Sequence, residues 1–406
     1  MKGKANWHLT RAGVILAVLA ALALAGCGKD ERRAQGRMDT PAHHTLRGHD
    51  HLDKGDWEEA MRSFQLAITL DRKYSPGYAG KAVALAMGSA SPRVKPGKAA
   101  SMAENAHEAL EEALDLADSN GDKRVAHTAG IRVFRLTRPK GWLEDAVEHY
   151  NEAMEFNENA RDPNPHFYVA RAYRDAFKIQ DAIKHYQVVL GMDTPMTGRA
   201  DAEMAVVQKI QRAAPGSSHG KVIAFAPTIT RADIAGLFIE EMRLDKIFQR
   251  GGQTTTTTAF RAPGQAAAID RPKGSTATDV QEHPLRSDIL EVLKIGVRGL
   301  EVDPSNKFFP NLEVNRAEFA VMIEDILVKV TGEEAIKTKF IGQPSPFRDI
   351  RNDTFYFNAI QTVTTRNLKE PENKVNGIFG AGSSISGADA LLVIRLLKDE
   401  LRSYLR

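Results

Sequence analysis

One short motif occurs three times in the C-terminal half of the chain and constrains its fold more than any other feature. Each copy has an apolar residue, a small polar residue, a variable residue, an alanine and an acid, at positions 229–233, 314–318 and 385–389. The small polar residue suits a helix N-cap, and the side chain of the acid three positions later can accept a hydrogen bond from the cap's own N–H group. We therefore predict three capped helices that belong to one repeat architecture.

The three copies also share an apolar residue upstream of the motif. It lies eight positions before the variable residue in every copy, as Ile223, Phe308 and Phe379. The variable residue itself is Arg231 in the first copy, Arg316 in the second and Gly387 in the third. This fixed spacing favours a repeat over three unrelated helices.

The two arginines are candidates for anion binding. Arg231 follows the predicted cap Thr230, and Arg316 follows the predicted cap Asn315, so each would occupy the first helical position. A helix start offers unpaired N–H groups and a positive dipole end, and a guanidinium group matches a carboxylate or phosphate. The alternative is an exposed arginine beside its own acidic neighbour.

From about residue 200 to residue 402, the three copies resemble S-layer homology repeats, which carry a similar motif after a short helix and a loop. The resemblance implies a helical domain of three repeats arranged as a pseudo-three-fold prism. It also implies binding to a peptidoglycan-associated or secondary cell-wall polysaccharide, with Arg231 and Arg316 as contacts beside Thr230 and Asn315. We expect alanine at both arginine positions nearly to eliminate wall association and the caps to preserve the fold.

The resemblance also suggests domain boundaries. A divergent first repeat would span residues 197–249, the second 279–332 and the third 333–406. Residues 250–278 contain five successive threonines and are predicted to form a low-complexity loop. The third repeat departs from the family because Gly387 replaces the arginine. An arginine at this position is expected to strengthen binding if the third groove is otherwise whole. Since glycine is a poor helix former, the change should not damage the fold unless the site is crowded.

Residues 42–196 follow a different pattern. Four segments share residues at offsets 0, 4, 7 and 10, with small residues at the first and third of these offsets in most segments; they start at Ala60, Ala106, Ala146 and Ala182. Small residues let a neighbouring helix approach closely. The pattern resembles the second helix of tetratricopeptide repeats, which implies a helical solenoid with a concave surface for a protein partner. A helical spacer without a partner is the alternative.

The N-terminus combines basic residues, an apolar run at 13–25 and the sequence Leu24-Ala25-Gly26-Cys27. It resembles a bacterial lipobox, which implies that residues 1–26 are a signal peptide and that Cys27 is lipidated and anchored in a membrane. Residues 27–41 would be a flexible tether. By resemblance to Gram-negative lipoproteins, Gly28 favours the outer membrane facing the periplasm. An ordinary signal peptide with a chance cysteine is the alternative.

Composition excludes several classes of function. The chain has 55 basic and 52 acidic residues, so a strongly electrostatic nucleic-acid partner is not expected. Its single cysteine excludes a disulfide framework and a cysteine-based zinc site. No catalytic arrangement is evident, and no cofactor is expected. The histidines between positions 43 and 51 are interpreted as solvated side chains, so no metal site is assigned.

The sequence thus predicts a mainly α-helical, non-enzymatic lipoprotein of the cell envelope. A tetratricopeptide-like helical solenoid would be followed by a pseudo-three-fold α-helical domain that binds cell-wall polymer, and the solenoid would recruit a protein partner. The alternative is a protein-interaction scaffold or assembly factor of an envelope or secretion complex. In that case the wall-binding repeats would serve only for localisation.

Overall fold

The computed structural model describes residues 33–157, 161–251 and 277–404. These ranges are mainly helical and contain sixteen α-helices and no β-strand, which confirms the expected α class. Contacts divide the chain into two units, Met1–Thr197 and Gly198–Arg406, and each is described here by itself.

The first unit consists of helix pairs. They are α1 (Pro41–Asp53) with α2 (Trp57–Leu70), α3 (Ser75–Ser89) with α4 (Pro96–Asp115), α5 (Asn120–Thr137) with α6 (Trp142–Glu155), and α7 (Asn164–Asp175) with α8 (Ile179–Gly191). The two helices of each pair pack together, and the first helices of successive pairs also pack in series. Each of the four alanine-patterned segments forms the second helix of a pair.

Small residues permit this packing. The alanines at the repeated small positions are all fully buried; they are Ala60, Ala67, Ala106, Ala113, Ala146, Ala153 and Ala182. Phe64 on α2 is also fully buried and lies against glycines of both neighbouring first helices. A Cβ atom would approach the Phe64 ring to 2.5 Å at Gly48 and to 2.1 Å at Gly80. The aromatic side chain therefore occupies space that only glycine leaves open.

Helix α1 has a well-defined start. The Thr40 side chain accepts a hydrogen bond from the His43 amide, and Pro41 occupies the first turn, where its missing N–H is not needed. Asp39, within the predicted tether, lies 2.7 Å from His44 Nε2. His44 is only 8% exposed, so the interpretation of this histidine as a solvated side chain is wrong. Its ring packs inside the fold because it belongs to the buried face of α1.

The second unit contains the remaining helices. They are α9 (Thr197–Ala213, which begins at the unit boundary), α10 (Ser218–Ile223), α11 (Arg231–Gly236), α12 (Leu244–Gly251), α13 (Arg286–Ile295), α14 (Arg316–Thr331), α15 (Phe357–Thr365) and α16 (Gly387–Glu400). A π-helical turn, Leu237–Glu241, continues α11. Helices α11, α14 and α16 begin at the variable residue of the three motif copies, as predicted.

The three motif copies join in a ring of backbone hydrogen bonds. The Ile229 amide donates to the Ile385 carbonyl at 3.2 Å, and the Ile385 amide donates to the Val314 carbonyl at 3.0 Å. The Val314 amide completes the ring by donating to the Ile229 carbonyl at 3.1 Å. All three residues are buried. Because each copy bonds to the other two, the arrangement is closed and needs all three copies.

Two aspartates fix the loops that precede α14 and α16. The Asp279 carboxylate accepts hydrogen bonds from the amides of Phe308 and Phe309 at 2.8 and 2.7 Å. The Asp349 carboxylate accepts from the amides of Phe379 and the following glycine at 2.9 and 2.8 Å. Phe308 and Phe379 are fully buried. The aromatic position eight residues before each of these two helices is thereby held in a defined place.

Candidate anion-binding groove

The first two motif copies form complete capping boxes. The Thr230 hydroxyl accepts from the Asp233 amide at 3.2 Å, and the Asp233 carboxylate accepts from the Thr230 amide at 2.8 Å. The Asn315 side chain accepts from the Glu318 amide at 2.8 Å, and Glu318 accepts from the Asn315 amide at 3.0 Å. Both predicted polymer contacts, Thr230 and Asn315, therefore use a side-chain oxygen to close their own helix.

The third copy differs from the prediction. The Ser386 hydroxyl accepts from the Asp389 amide at 3.1 Å, as expected of an N-cap. The Asp389 carboxylate, however, contacts Lys209 Nζ at 2.5 Å and Lys369 Nζ at 3.1 Å. A box like those of the other two copies is not formed, because the two ammonium groups hold the carboxylate away from the cap.

The first amides of α11 and α14 are also occupied. In α11 the first two amides donate to the carbonyls of Leu312 and Pro310 at 2.9 and 3.0 Å. In α14 the first two amides donate to the carbonyls of Ser383 and Ala381 at 2.9 and 3.1 Å. The loop of the next copy thus takes the donors that were expected to face an anion. Any ligand at these positions must bind through side chains.

Arg231 is fully engaged with the neighbouring loop. Its Nε, Nη1 and Nη2 atoms donate to the carbonyls of Phe308, Gly299 and Glu301 at 2.8, 2.7 and 2.8 Å. Its guanidinium carbon lies 4.8 Å from the centroid of the Phe308 ring. Burial lowers the pKa of Arg231. These contacts join the first copy to the second. Arg231→Ala would therefore remove contacts between the two copies even though the Thr230 cap remains.

Arg316 makes fewer contacts and keeps one edge open. Its Nε and Nη2 atoms donate to the carbonyls of Phe379 and Glu370 at 2.9 and 2.7 Å. Its guanidinium carbon lies 4.9 Å from the centroid of the Phe379 ring, and the residue is 6% exposed. Nη1 has no hydrogen-bond partner among the residues that the structure describes. Arg316 is therefore positioned by the protein and still has donors for a ligand.

Arg316 lines a polar cavity of about 810 Å³ within the second unit, which we call the Arg316 groove. Helix α9, the segments 367–372 and 383–384, and one side of α16 form its walls. Its basic residues are Lys209, Arg212, Arg316, Lys369 and Arg395. Its acidic residues are Glu370, Glu372, Asp389 and Asp399.

Several of these charges neutralise one another. Lys209 and Lys369 share Asp389, so that cluster retains one positive charge. Burial lowers the pKa of Lys369 to about 8, although Asp389 opposes this shift. Burial raises the pKa of Asp389, but the two lysines outweigh it and bring the pKa to about 2. Lys369 and Asp389 are thus mainly charged at neutral pH.

The rim of the groove adds further positive charge. Arg212 on α9 is exposed and forms no ion pair with the part of the chain that the structure describes. Glu372, in contrast, accepts a hydrogen bond from the Ser383 hydroxyl at 2.9 Å. The groove therefore presents Arg316, the lysine pair and Arg212 to an anionic group. A carboxylate or a phosphate matches these donors.

Gly387, the variable residue of the third copy, occupies a site that has no room for an arginine side chain. A Cβ atom at Gly387 would lie 1.8 Å from the Ile223 carbonyl oxygen and 2.8 Å from its carbon. The Gly387 amide also donates to the Ala226 carbonyl at 2.9 Å. The site is therefore crowded, the condition under which Gly387→Arg is expected to damage the fold. The C-terminal end of α10 thus lies where the other two copies have a side chain.

A second cavity of about 280 Å³ lies in the first unit, on the face formed by the first helices of the pairs. Its polar lining residues include His49, Asp53, Arg132 and Asn164. The Arg132 guanidinium carbon lies 4.3 Å from the centroid of the Tyr168 ring. Mainly burial, assisted by Arg132, lowers the pKa of His49 to about 4. The cavity combines apolar walls with groups that can orient a polar ligand.

Sequence reasoning located Arg316 but not the residues that surround it. Lys209 and Arg212 are contributed by α9, and Lys369 lies in a loop, so none belongs to the motif. The predicted lipidation site Cys27 and the signal peptide 1–26 lie outside the described ranges. Within those ranges, every helix is too short or too polar to cross a lipid bilayer.

Comparison with other proteins adds no family assignment. No protein-family model matches the chain, and no curated protein is similar enough to be identified as a relative.

Proposed function

We propose that this chain is a lipid-anchored envelope protein that binds an acidic cell-wall polysaccharide in the Arg316 groove. The observation that carries the proposal is the incomplete hydrogen bonding of the Arg316 guanidinium group. Two of its nitrogens are fixed by carbonyls while Nη1 has no described partner, in a cavity of about 810 Å³. The resemblance to S-layer homology repeats points to the same residue and to the same class of ligand.

The groove suits a carboxylate or phosphate carried on a polymer. Stacking on Phe379 and two carbonyl contacts hold the guanidinium group, so little side-chain freedom is lost on binding. Lys369 and Lys209 add positive charge beside it, and Arg212 extends that charge along the rim. A single anionic group would engage Arg316, whereas the neighbouring sugars would occupy the remainder of the groove. By comparison, Arg231 would serve mainly to hold two copies together.

The N-terminal features give the proposal its location. A lipid on Cys27 would anchor the chain in the outer membrane, with both units facing the periplasm. Along the chain, the helical first unit follows the proposed lipid anchor and precedes the wall-binding second unit. Anchoring in the membrane and binding to the wall polymer would together connect these two layers of the envelope.

Co-sedimentation of the full chain, in detergent, with isolated cell-wall sacculi tests the proposal. Arg316→Ala removes a charge-assisted contact and is expected to weaken binding roughly ten- to a hundredfold. Arg212→Glu is the sharper variant, because Arg212 is exposed and makes no described ion pair, so the fold should be unaffected. Arg348→Glu makes the same charge change at an exposed position outside the groove and is the matched control.

The proposal requires that Arg212→Glu reduce sedimentation while Arg348→Glu does not. Equal sedimentation of wild type, Arg212→Glu and a folded Arg316→Ala variant would exclude the groove as the binding site. Equal loss in Arg212→Glu and Arg348→Glu would indicate only nonspecific attraction between a basic surface and an acidic wall.

The first-unit cavity favours a second candidate function, in which the chain is a protein-interaction scaffold or assembly factor. The cavity lies on the shared face of α1, α3, α5 and α7, where an extended peptide could contact several helix pairs. A photo-crosslinking residue at the exposed lining position Asp53 would test it in cells. Reproducible capture of one protein, lost on Tyr168→Ala, would support the scaffold, whereas capture of wall material alone would exclude it.

A further inference from the structure

Two histidine pairs join the helices of successive helix pairs of the first unit, and their second members, His149 and His185, hold the same position in the alanine pattern. His127 on α5 and His149 on α6 have their Nδ1 atoms 3.1 Å apart. His166 on α7 and His185 on α8 have the same Nδ1 separation of 3.1 Å. Among the residues that the structure describes, only the first pair has a carboxylate oxygen within 4.0 Å of a ring nitrogen, because Glu152 lies one turn after His149 on α6. Glu152 Oε2 is 2.8 Å from His127 Nδ1.

We propose that His127, His149 and Glu152 bind a divalent transition-metal ion such as Zn²⁺ or Ni²⁺. One ligand atom from each residue lies within 4.8 Å of the other two. Imidazole nitrogens and a carboxylate oxygen are ligands that such ions accept. All three residues are partly exposed, so a fourth position remains open to water.

The two measured separations are close to those that an ion requires. Bonds of about 2.0–2.1 Å to a tetrahedral Zn²⁺ place neighbouring ligand atoms about 3.3 Å apart. His127 Nδ1 lies 3.1 Å from His149 Nδ1 and 2.8 Å from Glu152 Oε2. An opening of a few tenths of an ångström, on the order of ordinary side-chain motion, would admit the ion between them.

The packing of the rings sets these positions in advance. The His149 ring lies against Gly130, where a Cβ atom would come within 2.6 Å of it. The same ring is 5.3 Å from the Phe134 ring, and the His127 ring stacks on Phe156 at 6.2 Å. Aromatic neighbours on two helices therefore hold both Nδ1 atoms toward each other. A ligand set that is already oriented loses little conformational freedom on binding.

A hydrogen bond alone does not satisfy this cluster. Neutral His127 carries at most one proton on Nδ1, yet two groups with lone pairs, His149 Nδ1 and the Glu152 carboxylate, lie within hydrogen-bonding distance of it. If His127 donates to one, the other faces no donor from this ring. If His149 donates instead, the His127 lone pair faces the carboxylate. A cation between them accepts an electron pair from all three.

The second histidine pair provides a matched control within the same protein. His185 stands on α8 as His149 stands on α6, but the residue one turn later is Val188 instead of a glutamate. Val188 is 38% exposed, so a glutamate there should be tolerated. Glu152→Val and Val188→Glu therefore make reciprocal changes at equivalent positions. One removes the proposed third ligand, and the other places a carboxylate one turn after His185, in a pair where His166 Nδ1 lies 3.2 Å from the Tyr150 hydroxyl.

Calorimetric titration of the full chain in detergent with Zn²⁺ tests the proposal. Absorption spectra of the Co²⁺-bound protein report the ligand geometry. Wild type should bind one equivalent tightly, and Glu152→Val should weaken that equivalent at least tenfold. Val188→Glu should leave the affinity of that equivalent unchanged. Tight binding that survives in both Glu152→Val and a folded His149→Gln variant would place the ion elsewhere. Absence of tight binding in wild type would overturn the proposal directly.

Discussion

Arg231 and Arg316 occupy the same motif position and stack on the same kind of side chain, yet their guanidinium groups end in different environments. All three nitrogens of Arg231 donate to carbonyls, whereas Arg316 uses two nitrogens, has no described partner at the third and lines a cavity. At the third position, Gly387 meets the Ile223 carbonyl, so no side chain fits. Equivalent positions in the motif therefore serve three different purposes.

Gly387→Ala is expected to destabilise the second unit although alanine is the better helix former. Its Cβ atom would lie 1.8 Å from the Ile223 carbonyl oxygen, and backbone must move to relieve the contact. We expect a net loss of about 1–3 kcal/mol, since overpacking exceeds the gain in helix propensity. Differential scanning calorimetry of the full chain would measure the shift in the transition of this unit.

Gly198→Ala is the control for that prediction. Gly198 also lies in the first turn of a helix, α9, but a Cβ atom added there would have nothing within 4 Å of it. This variant should be neutral or slightly stabilising. A Gly387→Ala variant as stable as Gly198→Ala would show that the loop before α11 moves aside at little cost.

At the scale of elements, the first unit depends on helices that approach closely around buried aromatic and histidine side chains. His49 on α1 illustrates the consequence, because its ring lies 5.3 Å from that of Phe64 in an edge-on contact. Burial and then Arg132 lower its pKa to about 4, while Asp53 and Asp50 oppose the shift. The fold therefore favours the neutral imidazole.

This burial predicts a loss of stability in acid. The pKa of His49 is about 4 in the folded chain and 6.5 in its ordinary state. Between these two pH values the unfolded chain therefore binds more protons than the folded chain. The contribution of neutral His49 to the free energy of unfolding is fully present above pH 6.5, and it is lost as the pH decreases toward 4. Between pH 7 and pH 5 the His49 contribution to the free energy of unfolding should fall by about 2 kcal/mol. Urea unfolding at both pH values, followed by helical circular dichroism, would measure it.

His49→Gln gives the corresponding control, because glutamine carries no titratable group. The difference in unfolding free energy between the two pH values should shrink by about 2 kcal/mol in this variant. An unchanged difference would assign the acid sensitivity to the other histidines of the first unit, several of which are also partly buried.

At the scale of the whole molecule, two helical units follow an N-terminal segment with the features of a lipoprotein signal. The proposed function needs all three parts, because a wall-binding unit without an anchor would not link wall and membrane. The single cysteine makes the anchor simple to test, since no other thiol in the chain can be acylated.

Cys27→Ser is expected to abolish lipid attachment and release the protein from membranes. Metabolic labelling with a radioactive or clickable fatty acid should mark wild type and leave the variant unlabelled. Sedimentation of purified Cys27→Ser with sacculi should equal that of wild type, because the Arg316 groove is remote in sequence from the anchor. A wild-type protein without label would exclude the lipoprotein assignment but leave the groove untested by that result.

The sequence by itself determined where the motif helices begin and which small residues are buried. Both depend on local geometry: a cap reaches an amide three residues away, and a helical stripe follows from the spacing of alanines. The complete boxes at Thr230 and Asn315 show how far such reasoning extends. The four alanine-patterned segments likewise became the second helices of their pairs.

Only the tertiary structure decided what the motif side chains contact. Asp389 pairs with Lys209, 180 residues away along the chain, and this contact displaces the local box that the motif predicts. Arg231 and Arg316 bond to carbonyls of the copy that follows, and Gly387 meets the loop of the first copy. Closing three copies into a ring brings each motif against a loop that its own sequence does not specify. The hydrogen bonds and ion pairs of Arg231, Arg316 and Asp389 therefore depend on which groups the closed ring places near them.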